Sequence, residues 1–266
     1  MKMTKKILLG AAALVVAMAF VGCAGGEKAS DDPNNMIEGK KSNYTIDFVN
    51  ETGAESRGYK ATELKHAGGL VKITIDAGSS SNSSNKMGFI FDLKANADDS
   101  SAKDFFIIAF GNDNKYYVSK FSNVTDQQAY NFGTELDENP ATEKCYTDPV
   151  NCNPKVFDDG KTLSEDEDGN KYAYIYAFGN KDGSFDWKIL NASATEKVKS
   201  LSDKEFKNLE FTEDMILAER TIPAEDTGYT KQTQNLLAVY AKVNKDQTLV
   251  GAWDFVGTYK EAEVIE

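Results

Sequence analysis

DFFIIAFGNDNKYYVSKF, residues Asp104–Phe121, sets two runs of β-branched and aromatic side chains on either side of a Gly-Asn-Asp-Asn turn. Those flanks favour extended backbone, and Asn, Asp and Gly tolerate the left-handed conformations that a tight reversal needs. The pattern predicts an antiparallel hairpin. Lys171–Phe178 (KYAYIYAF), the turn GNKDG and Ser184–Leu190 (SFDWKIL) repeat the arrangement, as do Asn235–Val243 (NLLAVYAKV), the turn NKDQ and Thr248–Val256 (TLVGAWDFV).

Upstream, Asn43–Asn50 (NYTIDFVN) and Gly69–Asp76 (GLVKITID) alternate in polarity, and a Ser/Asn-rich loop leads into Met87–Leu93 (MGFIFDL). Helical periodicity is weak, and short helices are expected only near Asp203–Leu209 and Glu213–Arg220. Ile108-Ala109-Phe110-Gly111-Asn112 returns as Tyr176-Ala177-Phe178-Gly179-Asn180. A 68-residue spacing exceeds solenoid periods, so two similar hairpins or an old duplication are the readings.

The order GFIFDL, DFFIIAFGNDNKYYVSKF and a late pair ending in a tryptophan strand resembles concanavalin-A-like jelly rolls across residues 43–260. The expected fold is therefore an all-β antiparallel sandwich, with an immunoglobulin-like or other sandwich as the alternative. The resemblance implies two stacked sheets, the concave one suited to glycan or protein ligands.

The N-terminus has a different chemistry. Lys2, Lys5 and Lys6 precede an uncharged run, Ile7–Val21, which is shorter than the roughly 20 residues of a spanning helix. Phe20-Val21-Gly22-Cys23 resembles the lipobox of bacterial lipoprotein precursors, in a loose form similar to that of spirochaetal lipoproteins. The resemblance implies cleavage before Cys23 and acylation of its thiol, palmitate included. The alternative is an ordinary cleaved signal with a chance cysteine. Residues 1–22 are then the signal peptide, 23–42 a lipidated cysteine and flexible tether (AGGEKASDDPNNMIEGKKS after Cys23), and 43–266 one sandwich domain. Localisation follows as membrane-anchored in the cell envelope, with Ala24 compatible with the outer membrane.

Loss of residues 1–22 takes the formal charge from −12 to −15. Such a surface repels nucleic-acid phosphates, so nucleic acid is excluded as a partner and the membrane is engaged through the lipid. With Cys23 committed to lipid, Cys145 and Cys152 (CYTDPVNC) remain. An exported compartment favours a local Cys145–Cys152 disulfide; two free thiols are the alternative.

Catalytic signatures are sparse. His66 is the only histidine and sits in the polar turn ELKHAGG, and no nucleophile elbow or phosphate-cradling loop occurs. Jelly-roll glycosidases place spaced carboxylates on one strand, whereas the nearest run here, Glu135-Leu136-Asp137-Glu138-Asn139-Pro140, lacks the last Glu and ends in proline. The expectation is no catalytic residue and no enzyme. No cofactor is expected either. Calcium is the one inorganic candidate, at Asp158-Asp159-Gly160 or Ser164–Asn170, although the latter fails as an EF-hand loop. Aromatics supply the remaining candidates for ligand binding: Tyr116, Tyr117, Trp187 and Trp253, with Asp186 and Asp254 beside the tryptophans as acceptors. Core packing of the same rings is the alternative. The leading expectation is a membrane-displayed, non-catalytic binding or adhesion module for glycans or host proteins. A jelly-roll glycan-processing enzyme and a structural envelope protein without a small ligand are the alternatives.

Overall fold

The computed structural model describes residues 38–40, 43–51, 56–65, 68–81, 85–124, 143–147, 149, 153–180, 182–199, 209–227 and 236–259. Cys23, His66, Cys152, residues 135–140 and all but Leu209 of the helix expected near Asp203–Leu209 lie outside them. Strands follow in the order β1 (Glu38–Lys40), β2 (Asn43–Val49), β3 (Ser56–Lys65), β4 (Gly68–Ile75), β5 (Lys86–Ala95), β6 (Lys103–Gly111), β7 (Lys115–Val124) and β8 (Glu143–Cys145). After them come β9 (Lys155–Val156), β10 (Ser164–Glu165), β11 (Lys171–Gly179), β12 (Phe185–Leu190), β13 (Ile216–Ile222), β14 (Leu236–Val243) and β15 (Thr248–Tyr259). Two short helices, α1 (Thr195–Lys199) and α2 (Ala224–Thr227), lie between them. Among the described residues, no helix is long and apolar enough to cross a membrane.

The chain is an all-β antiparallel sandwich. One sheet runs β1-β2-β15-β4-β11-β12-β13, with β10 paired to β11, and the other runs β3-β14-β5-β6-β7-β8, with β9 paired to β7. Period-2 alternation explains the packing: Tyr44, Ile46 and Phe48 of β2 turn inward while their neighbours are exposed. The other sheet contributes Phe89 and Phe91 of β5, Phe106, Ile108 and Phe110 of β6 and Val239 of β14 to the same core. The rings of Phe91 and Phe106 stack at 5.2 Å. Burying each large side chain contributes about 1.5–3 kcal/mol. The sheets approach closely where Gly251 of β15 meets β5, since a Cβ there would run into Met87 Sδ and the Thr74 carbonyl.

Three expectations are corrected. β14 and β15 form no hairpin: β14 lies between β3 and β5 in one sheet, and β15 between β2 and β4 in the other. Their turn (Asn244–Gln247, with Asp246 at φ 56°) carries the chain from sheet to sheet. Glu213–Arg220 is not helical; a 3₁₀ turn over Glu213–Met215 leads into β13, where pairing with β12 overrides local propensity. The sheet also begins before residue 43, because Glu38–Lys40 pairs with β2 inside the stretch read as tether.

The hairpins β6–β7 and β11–β12 form as the turn chemistry predicts. Their sequence echo faces opposite ways. Ile108 and Phe110 point into the central core, whereas Tyr176 and Phe178 point to the outer face of the larger sheet and Ala177 points inward. A duplication that kept its packing would keep its inward residues inward, so similar turn and strand chemistry is the simpler account of the echo.

Candidate functional site

The outer face of the larger sheet is built by alternate residues of β11, β12 and β13. Tyr172, Tyr174, Tyr176 and Phe178 form an aromatic stripe along β11. Its middle is covered by the 3₁₀ turn Ala192–Ala194 and α1, where Ala194 and Val198 are buried and Thr195 Oγ1 lies 3.0 Å from the Tyr174 hydroxyl. A cleft of about 240 Å³ is walled by Tyr176, Phe178 and Leu209 and floored by Asp186, Lys188, Glu219 and Thr221.

Register fixes the polar floor. Asp186 stands opposite Thr221, and Lys188 opposite Glu219, on the neighbouring strands β12 and β13. Asp186 accepts hydrogen bonds from the Asn180 side-chain amide at 2.8 Å and from the Thr221 hydroxyl. Glu219 pairs with the Lys188 ammonium. Asp186 and Glu219 are thus diagonal neighbours on one face, with backbone positions roughly 7–8 Å apart in antiparallel sheets. Two carboxylates flanking a sugar with room for a water between them need about 6.5–9.5 Å. Beside them, the Tyr176 phenol is held protonated well above its ordinary range, first by burial and then by the Asp186 charge.

The structure places the residues singled out in the sequence as follows. Trp187 and Trp253 belong to the core, 2% and 0% exposed, so the aromatic-site reading is corrected for both. Strand parity is the reason: both lie on the inward set of their strands, and Trp253 Nε1 donates across the sandwich to the Gly88 carbonyl at 2.8 Å. Tyr116 is also inward, stacked on Phe157 at 5.3 Å. Tyr117 packs on the outer face of the other sheet, and half-buried Asp254 stands opposite Lys72. Trp187 borders the cleft, but it packs into the core from there. Of the six, Asp186 is the one whose outward parity puts its side chain on the cleft floor.

Cys145 is buried, with its sulfur 3.2 Å from Ser119 Oγ. Among the described residues, no group of three His, Cys, Asp or Glu gathers to hold a metal. In the acidic turn read for calcium, Asp166 accepts from the backbone of Asp168 and Asn170 and so closes the β10–β11 turn. Asp158 pairs with Lys155.

Sequence reading missed Glu219, Thr221, Lys188, Tyr176 and Phe178. The aromatic alternation of KYAYIYAF was visible, but Glu219 was hidden in a stretch read as helix.

No family model matches the chain, and no curated protein does. Several solved structures are similar. A Bacillus licheniformis β-glucanase is 12% identical, with 85% of this chain and 83% of that one covered and a TM-score of 0.39. A prokaryotic β-1,3-1,4-glucanase (lichenase) derived from a mouse hindgut metagenome is 10% identical, covering 83% and 81%, at 0.37. The κ-carrageenase of Pseudoalteromonas carrageenovora, in complex with an oligotetrasaccharide of κ-carrageenan, is 7% identical, covering 83% of each chain, at 0.36. These names correct two expectations, that the chain is a non-catalytic binding module and that it is no enzyme. At TM-scores below 0.5 no residue of those proteins transfers to this chain, and the carboxylates described above are its own.

Proposed function

We propose that this chain is a glycan-processing protein whose cleft on β11–β13 holds a sugar against the aromatic wall of Phe178 and Tyr176. The observation that carries the reading is the diagonal placement of Asp186 and Glu219 beside that wall. In this reading Asp186, fixed by Asn180 and Thr221, orients the attacking water. Glu219, an exposed carboxylate held by Lys188, stabilises the positive charge that develops on the sugar, and the departing oxygen takes its proton from water in the open cleft. The test is reducing-sugar release from a panel of soluble polysaccharides. Asp186→Asn and Glu219→Gln should each lower the rate at least about a hundredfold, with unfolding midpoints unchanged. Equal release by wild type and both variants, or none from any polysaccharide, overturns the proposal.

The proposal includes an envelope protein lipidated at Cys23 and displayed from a membrane, with Cys145 bridged to Cys152. Support comes from the lipobox-like Phe20–Cys23 and from there being only three cysteines. Stable anchoring takes more than one acyl chain, which a diacylated cysteine supplies. Cys23→Ala should release the protein from membranes or leave an uncleaved precursor, and should abolish labelling by a palmitate analogue. Non-reducing peptide mapping of the same material should recover Cys145 and Cys152 as one linked species. Equal palmitate label in both proteins refutes the anchor, and quantitative alkylation of both thiols without reductant refutes the bridge.

A further inference from the structure

The inner side of β12 and β13 carries a second polar cluster at the rim of the cleft, which Trp187 and Arg220 also line; it uses neither Asp186 nor Glu219 and does not rest on the reading given to them. Trp187 stands directly opposite Arg220 in the register, and opposed residues of an antiparallel pair share a face. Trp187 faces the core, so Arg220 starts from the inward side of the edge strand, although the residue as a whole is exposed. Its Nη1 reaches across the sandwich and donates to the Tyr146 carbonyl at 2.5 Å, just beyond β8. Arg220 makes no ion pair with any described residue.

Two buried polar atoms without a hydrogen-bond partner belong to the residues on either side of this contact: Nε1 of Trp187, which stands opposite Arg220, and Oγ1 of Thr147, which follows Tyr146. The neighbouring Tyr146 hydroxyl is buried without a partner as well; burial first, and then the Asp226 charge, keeps that phenol protonated. Asp226 is in turn matched by the Lys144 ammonium at 2.5 Å, so its charge is already compensated. Trp187 is 2% exposed. Trp253, by contrast, donates its indole nitrogen to the Gly88 carbonyl. Native proteins seldom leave such groups unpaired, so two on residues flanking the contact of a cation that lacks a counter-ion need a common explanation. An indole N–H and a guanidinium only donate, and the Thr147 hydroxyl can donate as well. Such a set suits a planar anion that accepts several bonds at once.

We infer that Arg220, Trp187 and Thr147 form a binding site for a small carboxylate at the edge where the two sheets meet. The protein has two tryptophans, so a nitrogen-15 spectrum carries two indole signals, and Trp253 serves as the internal reference. Sodium formate is titrated against sodium chloride at constant ionic strength, with Trp187→Phe used to assign the signals. The Trp187 signal should shift and saturate while that of Trp253 stays fixed, and Arg220→Gln should abolish the shift with the Trp253 signal unmoved. Equal movement of both signals, or a shift that survives in Arg220→Gln, overturns the site. So does a Trp187 signal that ignores formate, whether or not a nuclear Overhauser effect to water marks an internal water in its place.

Discussion

Trp253→Ala should lose about 3–5 kcal/mol of unfolding free energy in urea, a large part of the roughly 5–15 kcal/mol that holds a domain folded. Its side chain is fully buried within the larger sheet's inner face, and its indole N–H bonds to Gly88 of the opposite sheet. Removing the ring leaves a cavity between two sheets that cannot close over it, because neighbouring strands are fixed by their ladders. Trp253→Phe keeps most of the packing and gives up the hydrogen bond, so it should lose less, about 1–2 kcal/mol. The denaturant slope should stay constant if only the native state is affected. A Trp253→Ala protein within about 1 kcal/mol of wild type would contradict the inward placement and reopen that tryptophan as a surface for ligands.

Asp113→Ala should have an effect of similar size for an electrostatic reason. Lys86 is 3% exposed, and its ammonium lies 3.1 Å from Asp113 Oδ1. Burial pulls the Lys86 pKa below its ordinary value, with Asp113 opposing the shift. Deleting the carboxylate leaves an uncompensated buried cation, at a cost of about 3–5 kcal/mol. The sign with pH follows. A lysine whose folded pKa lies below its unfolded one binds fewer protons when folded, so stability rises as pH climbs towards the unfolded value of 10.5. Asp113→Ala widens that window, and its deficit should shrink as pH is raised through it. Lys86→Met combined with Asp113→Ala should recover most of the loss, since an apolar replacement of a buried pair is often close to neutral. A deficit that does not change with pH and is not rescued by the double variant would mean that Asp113 acts through its turn, not through its charge.

Hairpins were legible wherever a strand and its sequence neighbour pair, as in β6–β7 and β11–β12. The same turn chemistry misled at Asn244–Gln247, because Asn and Asp turns serve equally to reverse within a sheet or to pass between sheets. Alternation gave the period of Trp187 and Asp186 but not which of the two faces the core. That choice depends on strand order, and strand order depends on partners far away in sequence. The cleft was illegible for the same reason. Asp186 and Glu219 are 33 positions apart and converge only because β13 joins the edge of β12. Their meeting follows from a register that no local pattern encodes, and reading Glu213–Arg220 as helix concealed it.

The placement of β14 and β15 constrains when the molecule can fold. Each inserts between two strands made much earlier, so both sheets lack an inner member until residues 236–259 have been synthesised. An emerging chain can form local hairpins such as β6–β7, but it cannot close either sheet, and long-range pairing of this kind is intrinsically slow. Completion of both sheets is therefore deferred until β14 and β15 have been made. Until then β4 and β5 each present an unpaired edge, open to pairing with wrong partners.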